Sequence, residues 1–211
     1  MTRLLVLGAS GLVGRSALQQ ALADARVAGV VAPTRRPLPT HPRLDNPIID
    51  FDAIDAGDPA WRVDAVICAL GTTIADAGSQ AAFRKVDYDY PLAFARLAHA
   101  AGARTFALTS AKAADPRSQV FYSRTKGELE QALRGIGFDS LTLLRPGLLD
   151  GERQAQRPME QLALRISRVL DGVLPGSWRA VPATAVASAL VKAALEARPG
   201  IHVIESADIP R

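Results

Sequence analysis

Tyr122 and Lys126 stand one helical turn apart in Tyr122-Ser123-Arg124-Thr125-Lys126, inside an amphipathic stretch predicted as a helix over Gln119–Gly135. That spacing puts both side chains on one face. A phenol titrates near ~10, so proton transfer near neutrality needs a shift of about three units, roughly 4 kcal/mol. A lysine ammonium ~4 Å away supplies that much at an effective dielectric of ~20. The pair therefore reads as a phenol that exchanges a proton with a carbonyl or alcohol oxygen, and a lysine that activates it and holds sugar hydroxyls. Upstream, Thr109-Ser110 ends an apolar run. A hydroxyl there can polarise the substrate oxygen beside the phenol. Neighbouring strand residues face opposite ways, so only one of the two points correctly, and Ser110 is taken as that one.

A second group of residues binds rather than reacts. Gly8-Ala9-Ser10-Gly11-Leu12-Val13-Gly14 follows the apolar run Leu4–Leu7 and opens a helical pattern. Strand, glycine turn and helix N-terminus together make a cradle for a pyrophosphate: glycine lets the backbone turn sharply, and the first helical amides favour negative charge. The spacing is a looser form of the dinucleotide fingerprint. Where an acidic residue would accept from a ribose 2′-hydroxyl, after the second strand, the chain reads Thr34-Arg35-Arg36. Two guanidinium forks there suit a 2′-phosphate, so NADP is expected over NAD. Asp50, at the end of the third apolar run, either meets the adenine amino group or caps the following turn.

These residues need a scaffold, and the hydrophobic pattern supplies one. Strand-like runs at Arg3–Gly8, Val27–Val31, Pro47–Phe51, Ala65–Leu70, Thr105–Thr109, Leu141–Arg145 and His202–Ile204 alternate with helical patterns. The helices are expected over Leu12–Ala23, Tyr90–Ala101, Gln119–Gly135, Met159–Leu170 and Ala183–Ala197. Continuous apolar strands suit a parallel sheet buried on both faces. The expectation is a doubly wound α/β sheet of the Rossmann kind, three layers deep (αβα), with ligands beyond the carboxyl ends of its strands. All 211 residues are read as one such domain, with a small cap-like segment around residues 151–182.

With 48% hydrophobic and 22% charged residues, the composition is that of an ordinary globular domain. The formal net charge is +4, and only Lys85, Lys112, Lys126 and Lys192 of the 25 basic residues are lysine. The arginines are scattered without interleaved aromatics, which argues against nucleic-acid binding. No apolar stretch reaches the ~18 residues of a membrane span. The apolar segment after Arg3 imitates a signal peptide, but its glycines argue against one, and a cytoplasmic location is expected. The single cysteine, Cys68, excludes an intramolecular disulfide and reads as a core thiol. His41, His99 and His202 lack metal-ligand spacing. Asp87 and Asp89, just before a helix, read as capping or dipole partners.

Taken in order, these motifs resemble an atypical short-chain dehydrogenase/reductase of the Tat-interacting-protein-like branch. The resemblance is carried by the glycine turn, Arg35-Arg36, Cys68-Ala69-Leu70-Gly71-Thr72-Thr73, Phe83 to Tyr90, Tyr122-x-x-x-Lys126-Gly127-Glu128, Arg145-Pro146-Gly147, and Glu152-Arg153-Gln154 with Arg157-Pro158. It implies an NADPH-type cofactor held by Ser10, Gly11, Leu12 and Val13, with Arg35 and Arg36 on the 2′-phosphate. It also implies that Leu70, Gly71 and Thr72 lie beside the sugar and Lys126 lies on the nicotinamide ribose. Pro146-Gly147 would face the carboxamide, Arg157 would approach from the cap, and Tyr122 would give or take the proton for a small carbonyl substrate. Short-chain enzymes often carry a serine run where this chain reads Thr109-Ser110-Ala111. The second reading is accordingly a non-catalytic NADPH binder working through a protein partner; a homodimer is equally open.

Overall fold

The structure, a computed structural model, describes residues 1–150 and 180–210. Seven strands form one parallel sheet: β1 Thr2–Leu7, β2 Val27–Val31, β3 Leu44–Asp45, β4 Ala65–Cys68, β5 Thr105–Thr109, β6 Ser140–Arg145 and, last in the chain, β9 Gly200–Glu205. Their spatial order is β3-β2-β1-β4-β5-β6-β9. The direction of winding reverses between β1 and β4, the place where such sheets open a crevice at their carboxyl ends.

Side chains alternate across the sheet. Leu4 and Val6 of β1 join Ala65 and Ile67 of β4 under one helical layer, α1 Leu12–Ala23 and α6 Ala183–Glu196. Leu5, Leu7, Val66 and Cys68 point the other way, against Phe94 of α4 Tyr90–Ala100 and Leu129 and Leu133 of α5 Phe121–Arg134. The three-layer αβα sheet expected from the sequence is therefore present. Between β4 and α4 lie two short helices, α2 Ile74–Ala77 and α3 Gln80–Arg84, and a π turn at Lys85–Asp89. Their short, mixed patterns carry no periodicity long enough to announce a helix.

The third strand differs from expectation. It forms at Leu44–Asp45, ahead of Pro47–Phe51, and only an isolated Thr34–Ile48 bridge continues it. Asn46 interrupts the ladder by turning its side chain to Ala32 O, Thr34 Oγ1 and the Leu38 amide. Pro47 then has no N–H to donate. Apart from this sheet, β7 Leu149–Asp150 pairs in parallel with β8 Val181–Pro182. The helix expected over Met159–Leu170 lies outside the described residues, as does Arg157. Among the described residues no helix is long and apolar enough to cross a membrane.

Candidate functional site

Glycine builds the turn between β1 and α1 for steric reasons. Gly8 adopts φ +80°, and a Cβ there would come within 2.6 Å of Ala69 O, so the turn packs directly on the end of β4. A Cβ on Gly14 would collide with the Gly8 carbonyl, so α1 sits tight on the turn. Gly11 is the N-cap, its amide donating to Gly8 O at 2.9 Å. No side chain caps α1 and its first turn holds no acidic residue, leaving the first amides and the positive helix end open to an anion.

Beside this turn a cleft of about 510 Å³ opens at the β1/β4 reversal. It gathers most residues the sequence singled out: Ser10, Gly11, Leu12 and Val13 from the turn; Leu70, Gly71 and Thr72 after β4; Ser110, Tyr122 and Lys126; and Pro146 and Gly147 after β6. The latter two bring little free backbone chemistry. Pro146 O accepts from the Lys112 amide, and the Gly147 amide donates to Ser206 Oγ at 3.0 Å. Arg35 and Arg36 stand outside the cleft, exposed after β2. Thr34 Oγ1 donates to Arg36 O at 2.7 Å and fixes the turn that carries them. Among the described residues neither arginine is paired with a carboxylate. Asp50 does not line the cleft; its Oδ1 accepts from the Asp52 amide at 2.9 Å, the turn-capping one of its two alternatives.

On α5 the phenol and the lysine lie at different depths. Tyr122 is 36% exposed and its ring rests 5.6 Å from that of the fully buried Phe83. Lys126 is buried, and its Nζ lies 2.7 Å from Oδ1 of Asp87, buried likewise. Gly127 brings the helix this deep, because a Cβ there would strike the backbone of Asp115 and Pro116. Burial pulls the Lys126 ammonium down, but Asp87 and then Tyr122 outweigh it and hold the group above the usual lysine range. Reading Asp87 as a capping residue is thus corrected: the π turn aims its side chain inward, where it meets the lysine.

Ser110 and Thr109 divide differently than expected. Ser110 Oγ donates its only proton to Glu130 Oε1 at 2.6 Å, and Glu130 is itself buried and held by Arg145. Thr109 lines the same cleft, and its Oγ1 is buried with no hydrogen-bond partner among the described residues. The sequence reading overlooked Asp87 and Glu130 as site residues, and it weighed Thr109 but took Ser110 instead. Glu130 did leave a signal: it shares with Lys126 the face of α5 that also carries Leu129 and Leu133, and charges on an apolar face require partners. Cys68 behaves as the core thiol expected, pushed up to about 12 chiefly by burial. No metal-ligand cluster occurs among the described residues.

No family model matches the chain. Against curated proteins it is 37% identical over 194 residues to "Protein HTATIP2" of Rattus norvegicus, covering 88% of this chain and 78% of that protein. It is 32% identical over 212 residues to "Protein fmp52, mitochondrial" of Aspergillus niger, covering 95% and 90%. Among solved structures, "MoeE5 in complex with UDP-glucose and NAD" superposes with a TM-score of 0.74 at 21% identity, covering 95% of this chain and 74% of that one, a likeness of fold. The expectation of a cytoplasmic location does not stand, because fungal relatives of this similarity are named mitochondrial. Targeting segments are read by receptors from features that core composition does not report.

Proposed function

This chain belongs to the atypical short-chain dehydrogenase/reductase family, on the branch of HTATIP2 and FMP52, and we propose that it is an NADP-dependent carbonyl reductase acting on a small substrate. The observation that carries this reading is Tyr122, its phenol at the cleft one helical turn from Lys126, in the crevice floored by the glycine turn. The residues fit a nicotinamide dinucleotide: a Cβ-free turn and an uncapped helix end for the pyrophosphate, and two guanidiniums, unpaired with carboxylates among the described residues, for a 2′-phosphate. When bound, that group supplies the hydride. Lys126 donates to ribose hydroxyls, and Tyr122 gives its proton to the oxygen of the carbonyl being reduced. Thr109 takes the polarising role first assigned to Ser110, because its hydroxyl has no other partner whereas the Ser110 proton is committed to Glu130.

The alternative, a dinucleotide binder without turnover that signals to a protein partner, draws support from the Asp87–Lys126 pair. A lysine whose charge is already answered activates a phenol less than a lone one does. One experiment separates the two readings. Purified protein is mixed with NADPH and a panel of aldehydes and ketones, and absorbance of the reduced cofactor is followed. Consumption that falls at least about a hundredfold in Tyr122→Phe supports the reductase; NADPH binding without consumption supports the binder.

A further inference from the structure

Asp87 has no assigned role, yet it is a buried charge that lines the cleft. Its two oxygens have separate duties. Oδ2 accepts the Thr72 amide at 2.8 Å, which orients the carboxylate; among the described residues Oδ1 has no partner besides the Lys126 ammonium 2.7 Å away. Gly71 stands over this contact. A Cβ there would sit 3.3 Å from Asp87 Oδ1 and 3.8 Å from Lys126 Nζ, crowding the pair from the cleft side. The π turn at Lys85–Asp89 buries Asp87 while leaving Lys85 and Asp89 exposed. Such turns are rare and concentrate at functional sites.

A buried ion pair is a poor stabiliser compared with apolar residues of similar volume. This one also faces a cleft, and Lys126 has three N–H donors, only one of which Asp87 needs. We propose that Asp87 is a positioning residue of this site, fixing the Lys126 ammonium so that its other donors face the ribose, and that the pair acts as one unit. The proposal rests on the reading that the cleft takes a nicotinamide dinucleotide. The ionisable groups that act on Lys126 are Asp87 from the π turn, Tyr122 from its own helix and Cys68 from β4. Asp87 is the largest of the three and the only carboxylate, so its removal leaves burial opposed by Tyr122 and Cys68 alone and the lysine loses its proton at lower pH.

The test uses lysine labelled with carbon-13 at Cε, simple to assign with four lysines, and calorimetry with NADPH. Loss of one signal in Lys126→Met identifies the residue. In the wild type that signal titrates above the ordinary ~10.4, whereas in Asp87→Asn it titrates below it. NADPH affinity, flat between pH 7 and pH 9 in the wild type, falls on the order of tenfold over that range in Asp87→Asn. Loss of packing alone would not create this pH dependence. If Asp87→Asn does not fold, Asp87→Glu carries the test: it keeps the charge, displaces the ammonium and weakens NADPH binding severalfold. An unmoved Lys126 titration, a pH dependence equal to wild type, or undiminished affinity in Asp87→Glu overturns the positioning role and leaves the reductase reading standing. A wild type that binds no nicotinamide dinucleotide overturns both.

Discussion

Ser110 Oγ and Glu130 Oε1 lie 2.6 Å apart, and the same carboxylate takes Arg145 through Nε at 2.9 Å and Nη2 at 2.7 Å. This contact ties the end of β5 to the middle of α5, and through Arg145 to the end of β6. All three elements meet at the cleft. Ser110 is thereby committed to Glu130, whereas Thr109 Oγ1 has no hydrogen-bond partner among the described residues, and the reductase proposal gives Thr109 the polarising role. Ser110→Ala takes a donor from the buried Glu130 and should cost about 1–3 kcal/mol of stability with activity kept within a few fold. Thr109→Val breaks no protein hydrogen bond; it should leave the melting temperature in place and lower turnover on the order of a hundredfold. Thermal unfolding alongside the NADPH assay reads both, and the reverse pattern returns the role to Ser110.

Arg35 and Arg36 should decide which dinucleotide binds. They are exposed and unpaired with carboxylates among the described residues, on a turn pinned by Thr34. Replacing both with Ala should weaken NADPH by roughly 10- to 100-fold while NADH binding barely changes, because only the former carries the 2′-phosphate. Calorimetry with both dinucleotides measures the ratio; an unchanged ratio removes the NADP assignment.

Gly14→Ala is a small change at a site with no room. The added methyl would collide with the Gly8 carbonyl, so α1 must lift from the turn. Overpacking of this kind costs about 1–3 kcal/mol, which for a chain of this length lowers the melting temperature by roughly 2–12 °C. Dinucleotide affinity should fall with it, since the turn and the first helical amides separate. Native melting temperature with native affinity would show that the turn tolerates the side chain.

Alkaline pH should erode stability in two stages. The Cys68 thiol is pushed up to about 12 by burial, whereas in an unfolded chain it ionises near ~8.5. A folded value raised above the unfolded one contributes stability that is complete below the unfolded value and lost as pH rises towards 12. Lys126, also raised, adds a second loss that begins above the unfolded ~10.4. Melting temperatures should thus decline from about pH 8.5 upward, and Cys68→Ala should flatten the first part of that decline. The same thiol should resist a disulfide reagent at pH 8 until the protein unfolds. A melting temperature constant across this range would contradict the assignment.

Local signals carried much of the architecture. The apolar runs at Leu4–Leu7, Ala65–Cys68 and Leu141–Leu144, broken by helical patterns, identify a parallel sheet with two covered faces, because such strands have no polar side to show water. The Gly8–Gly14 turn was readable for a related reason: its chemistry is backbone chemistry, and a glycine absent from a tight turn cannot be replaced by packing elsewhere. Tyr122 and Lys126 share a helix, so their relation is fixed by helical spacing. The third strand escaped this reading because Asn46 and Pro47, not the apolar residues after them, determine where the ladder stops.

What residue spacing determined, then, is the sheet, the glycine turn and the phenol–lysine pair, all set by contacts within one element or between an element and its adjoining turn. The partners of those residues were settled by folding. Lys126 is answered by Asp87 from a turn beyond β4, Ser110 is drawn to Glu130, and Thr109 is left with its hydroxyl unpaired. Each outcome depends on which side chains share a buried volume once distant segments pack. There the cost of desolvating a charge or hydroxyl forces a pairing that no local pattern records.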